Sequence, residues 1–130
     1  QKNKIWLNIT GLHDVNLISD IGTKYGIHKL VLEDILNTHH RPKIEEFRDY
    51  IFFTFKMLQL NKGKDRIVSE QISIILGKNY VLTFQEVEGD TFDPVRKRLN
   101  NKIIFNFYRC NRITADIRKT IIIGMVITTF

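Results

Sequence analysis

The sequence predicts an α/β domain in which a mostly antiparallel, mixed sheet is flanked by helices. Three observations predict it. Two early stretches, 14–25 and 29–37, carry apolar residues at helical spacing. Three stretches between residues 50 and 86 alternate with a period of two. Gly, Pro, Asn and Asp punctuate the joints between them. At 130 residues, 43% hydrophobic and 26% charged, the chain has the composition of one soluble globular domain.

Ile5-Trp-Leu-Asn-Ile9 is a strand rich in β-formers, and Thr10-Gly11 turns it into a helix starting near His13-Asp14. Asp14 is placed to accept from free N–H groups there. Val15, Leu17, Ile18, Ile21 and Tyr25 give that helix its spacing, and Gly26 suits the position just past its end. A second helix, 29–37, begins after His28 and must end before Arg41, because Pro42 lacks an N–H and pushes Arg41 out of the helical region. Leu30, Val31, Leu32, Ile35 and Leu36 span a broad arc, so most of this helix's circumference is expected to be buried. Asp34 sits within that arc, and a carboxylate there needs a partner.

Lys43 to Phe47 is a short extended piece and Arg48-Asp49 a turn. Tyr50 to Leu60 puts Ile51, Phe53, Phe55 and Met57 on one side and Phe52, Thr54, Lys56 and Leu58 on the other. Asn61 to Asp65 is a loop. Ile67 to Leu76 points Val68, Ile72, Ile74 and Leu76 inward and Ser69, Gln71 and Ser73 outward. Gly77-Lys-Asn79 closes a hairpin onto Tyr80 to Glu86, completing a three-stranded meander. Asp93-Pro94 then starts a helix over 93–101, with Val95 and Leu99 as a thin stripe. The core is expected in 1–101; residues 102–130 form a C-terminal segment that reads as helix or strand.

Residues 1–95 hold 12 basic and 13 acidic side chains, and residues 96–130 hold 8 basic and 1 acidic. A solvated basic helix end accounts for this tail; a patch for nucleic acid or acidic lipid is the alternative. No nucleic-acid-binding motif accompanies it. The single cysteine, Cys110, excludes an internal disulfide and fits a reducing compartment. The start has no apolar signal region, and the longest uncharged apolar run, Thr120 to Phe130, is 11 residues against the roughly 20 that span a bilayer.

No catalytic constellation emerges, so no enzyme activity is expected. The serines lack a partnering base, there is no P-loop, and His13, His28, His39 and His40 show no ligand spacing. Glu33 and Asp34 are the candidate metal ligands. Mg²⁺ prefers oxygen donors and typically takes one or two carboxylates while keeping its waters. Neighbouring acids on a helix splay by about 100°, so the two serve adjacent ions, or one binds directly and the other through water. The competing reading pairs Asp34 with Arg41 or Lys43 and leaves Glu33 solvated.

Gly26-Ile-His-Lys-Leu-Val-Leu-Glu-Asp-Ile-Leu-Asn-Thr-His-His-Arg-Pro-Lys-Ile-Glu-Glu-Phe47 resembles the signature of the CorA family of magnesium and cobalt channels, in its cytosolic part. The opening strand, Ser69 to Asn79, Val81 to Glu86 and Gly89 to Arg96 are similar as well, so the resemblance runs from Ile5 to Leu99. The family usually has proline where Lys29 stands. Its Ala-Asp recurs at Ala115-Asp116, but the acids expected beyond it are replaced by Ile121 to Thr129; divergence or a reading-frame error each accounts for that break.

The resemblance implies a CorA soluble-domain-like fold and a Mg²⁺-sensing regulatory role, with Co²⁺ as a substitute ion. It implies that Asp34, with Glu33 as a second ligand, binds a regulatory cation together with the stalk helix of the neighbouring subunit in a homopentamer. It places the chain at the cytoplasmic face of the cell membrane. The stalk helix, the membrane helices and the Gly-Met-Asn pore motif are absent, so a fragment of the cytosolic domain is expected. A zinc-transporting relative of the superfamily is the alternative within transport; a basic nucleic-acid-binding module using 96–119 is the alternative outside it.

Overall fold

In the computed structural model, residues 5–61, 63, 65–87 and 92 are described. The chain divides into two units, Gln1–Glu88 and Gly89–Phe130. All the described elements lie in the first: β1 (Ile5–Thr10), α1 (Val15–Tyr25), α2 (Lys29–Leu36), β2 (Lys43–Glu46), β3 (Tyr50–Asn61), β4 (Arg66–Gly77) and β5 (Tyr80–Gln85). Of the second unit only Phe92 is described, and it is buried. The helix expected over 93–101 and the segment 102–130 lie outside the described residues.

The strands form one mixed sheet in the order β1-β5-β4-β3-β2. The meander β3-β4-β5 and the hairpin β2-β3 are antiparallel, whereas β1 pairs with β5 in parallel, Ile5 opposite Tyr80 and Thr10 opposite Gln85. A hairpin turn cannot make a parallel pair, and the chain between β1 and β2 supplies the two helices instead. Gly11, at φ 86°, takes a left-handed conformation open to glycine and turns the chain out of β1. Asp14 caps α1 by accepting from the Leu17 N–H at 3.0 Å, and Gly26 ends it at φ 65°. Both boundaries are where the sequence places them.

The main core lies between the helices and one sheet face. Ile21 of α1, Ile27, and Val31 and Ile35 of α2 pack with Ile9, Phe52, Ile75, Leu82 and Phe84. Dispersion and removal of apolar surface from water hold this layer, at about 25 cal/mol for each Å² withdrawn. The opposite sheet face is also buried at Phe53, Phe55, Ile72, Ile74 and Val81.

Burial departs from expectation on α2 and β4. The arc of α2 is not mostly buried: Val31 and Ile35 are, Leu32 and Leu36 are half-buried, and Leu30 is 61% exposed. An eight-residue helix lying on a sheet has one inward stripe, and leucine outside it stays wet. On α1, Ile18 and Ile21 are buried while Val15 and Leu17 are exposed. On β4, Gln71 and Ser73 are buried rather than solvent-facing, because both faces of this central strand are covered. Val68, expected inside, is exposed. The ladder with β5 reaches only Ile72, so the outer parts of β3 and β4 continue as a two-stranded ribbon carrying Leu60, Ile67 and Val68 at its surface.

Candidate functional site

The C-terminal end of α2 is held down by side chains from two strands. The last carbonyls of a helix have no intrahelical partner. The buried Gln71 amide of β4, 1% exposed, donates to the Asp34 and Asn37 carbonyls, both at 3.2 Å. The Lys56 ammonium of β3 donates to the Thr38 carbonyl. At the other end the His28 imidazole accepts from the Leu30 N–H at 3.2 Å, and the His28 N–H donates to the Tyr50 hydroxyl at 3.0 Å. These contacts fix where Asp34 stands.

Asp34 is half-buried, its side chain 16% exposed, and both of its oxygens are engaged. Oδ2 accepts from the Lys43 ammonium at 2.6 Å, and Oδ1 lies 3.1 Å from the His40 Nε2. Lys43 belongs to the edge strand β2, where it also donates to Glu45 Oε1 at 3.1 Å. Its nitrogen lies 5.8 Å from the centre of the Phe52 ring. The Asp34 hydrogen bond, helped by the one to Glu45, raises the Lys43 pKa above its ordinary value against the opposing effect of burial.

Of the two bases considered for Asp34, Lys43 is therefore the partner and Arg41 is exposed. Glu33 is exposed, on a different side of the helix from the inward stripe. His40, which shows no ligand spacing in the sequence, reaches Asp34. Glu45, Gln71 and Lys56 were not candidates. The i, i+2 spacing of Lys43 and Glu45 is the signal for the first, since it puts both on one strand face.

The carboxylates have the oxygen donors that a hard divalent cation takes, but as arranged they do not make a complete site. Among the described residues no group of three His, Cys, Asp or Glu side chains is placed to hold a metal ion. The basic segment 96–119 lies outside those residues. Among them, too, no helix is long and apolar enough to cross a membrane.

The model of the CorA-like Mg²⁺ transporter proteins matches residues 1–128. The chain belongs to the CorA family. It is 53% identical over 94 residues to the cobalt/magnesium transport protein CorA of Thermotoga maritima, covering 72% of this chain and 27% of that protein. It is 28% identical over 96 residues to the putative metal ion transporter YfjQ of Bacillus subtilis, covering 72% of this chain and 28% of that one. The chain thus spans little more than a quarter of the length of these relatives. The soluble domain of CorA from Methanocaldococcus jannaschii superposes with a TM-score of 0.61 at 17% identity, covering 80% of this chain and 40% of that one. The full-length CmaX protein superposes at 0.56 and 13% identity, covering 72% of this chain and 28% of that one. These likenesses establish the mixed five-stranded sheet with its helices as the CorA soluble-domain fold.

Proposed function

We propose that this CorA chain is a Mg²⁺-sensing regulatory part of a Mg²⁺/Co²⁺ transport channel, at the cytoplasmic face of the membrane. The observation that supports this most is the 53% identity, over 94 residues, to a protein named for cobalt and magnesium transport. In this reading Asp34 is a direct ligand of a regulatory cation and Glu33 acts beside it, directly or through water. The remaining donors come from the stalk helix of the neighbouring subunit in a homopentamer.

The physics is simple. Carboxylates that face one another across a subunit interface repel; a divalent cation between them reverses the sign, and its loss loosens the interface. With one or two donors from this chain, its own affinity belongs in the millimolar range. Titration with Mg²⁺ or Co²⁺ should therefore give a weak saturable response that Asp34→Ala abolishes. Superimposable curves for the two proteins would remove Asp34 from the site.

A further inference from the structure

We propose that Lys43 is a built-in counter-ion of Asp34, that a divalent cation must displace it to bind there, and that Glu45 keeps the displaced ammonium in place. This rests on the reading of Asp34 as a ligand. It starts from the disagreement between that reading and the geometry, in which the oxygen an ion would take is already bonded to a lysine at 2.6 Å.

Three features make the lysine a movable counter-ion rather than a fixed strut. Its ammonium is 32% exposed at the side chain, on a flexible four-carbon stem. It already contacts two carboxylates, Asp34 Oδ2 at 2.6 Å and Glu45 Oε1 at 3.1 Å. Release from one therefore leaves it bonded to the other, on the same strand face and near the same Phe52 ring. The corner also carries two carboxylates for one ammonium, with the His40 Nε2 at 3.1 Å from the other Asp34 oxygen, so Oδ2 is the oxygen that the exchange frees. An ammonium and a divalent ion cannot both sit against one carboxylate oxygen without strong repulsion, and the exchange removes it.

The device sets a threshold. Competition from a tethered ammonium lowers the apparent affinity of Asp34, so binding begins only when the free ion is abundant. Lys43→Met should shift the Mg²⁺ midpoint to roughly five- to tenfold lower concentration. Glu45→Gln should shift it a few-fold the other way, because the lysine then has Asp34 alone.

The test is a Mg²⁺ titration of the 130-residue chain at constant ionic strength, followed by NMR at the Asp34 carboxyl carbon and the Lys43 side-chain nitrogen. In the unmodified chain, saturation should move the Lys43 ammonium off Asp34 while it stays on Glu45; an ammonium that keeps Asp34 at saturation overturns the proposal. Lys43→Met, with Lys43→Gln as the milder variant if the first does not fold, should lower the midpoint. A merely structural lysine would change the denaturation midpoint and leave the Mg²⁺ midpoint alone. If Asp34→Asn abolishes the response and neither Lys43 variant moves it, the counter-ion idea fails and the ligand reading stands. If Asp34→Asn responds like the unmodified chain, or no saturable response occurs at Asp34, both fail together.

Discussion

One ammonium shared by two carboxylates has a pH signature. Asp34 and Glu45 raise the Lys43 pKa, so the folded chain holds that proton more tightly than the unfolded chain does. The resulting stabilisation is complete below the ordinary lysine range and fades as the pH rises through the raised value. Tyr80 has the same sign. Burial, with smaller effects of Tyr50, Asp49 and Tyr25, raises its pKa, so ionising its phenol at high pH disfavours the folded state. Urea midpoints measured between about pH 9 and pH 12 should show the unmodified chain ahead of Lys43→Met at the lower end and level with it at the upper end. A gap that stays constant across this window would mean that the Lys43–Asp34 contact carries no linked proton. The Asp34–Lys43 pair was legible from the sequence as one of two choices. The choice was decided by Pro42, which leads the chain into β2, and by the strand face that points Lys43 back toward α2. His40 was not legible, since its reach to Asp34 depends on how the chain leaves the helix.

At the scale of the element, the joints were easier to read than the faces. The caps at Asp14 and Gly26, the turn at Arg48-Asp49 and the hairpin at Gly77-Lys78-Asn79 all follow from local chemistry that acts within a few residues. Which side of α2 or β4 is buried depends on neighbours far away in the chain, so alternation misplaced Gln71, Ser73 and Val68. The β4–β5 hairpin also contains a close approach. A Cβ on Gly77 would come within 2.3 Å of the Tyr80 ring, which is packed against Tyr25 with centroids 4.7 Å apart. The ring is rigid, and it is tied to Tyr25 by this packing and by a hydrogen bond from its hydroxyl to the Tyr25 carbonyl, so it has little room to yield. Gly77→Ala should therefore destabilise the fold by about 1–3 kcal/mol, measured by chemical denaturation. A stabilised variant would show that the ring can swing aside.

For the whole molecule, family membership extends over residues 1–128, and the fold was legible as a class: mixed sheet, two early helices, antiparallel meander. The place of β1 was not, because a parallel neighbour leaves no turn signal between the partners. It pairs with β5 across long separations, with Asn8 and Thr83, for example, 75 residues apart. Closing so long a loop is slow compared with zipping a hairpin. Native-state hydrogen exchange should thus find the β1 amides less protected than those shared by β3 and β4. Equal protection along all five strands would mean that the sheet opens only as a unit.

The same pairing has a consequence for a chain emerging from a ribosome. Among the described strands β1 pairs only with β5, so α1 and α2 leave the exit tunnel before the strand that seats β1 has been made. Until residue 85 is made, Val31 and Ile35 have only part of the surface that shields them in the finished domain.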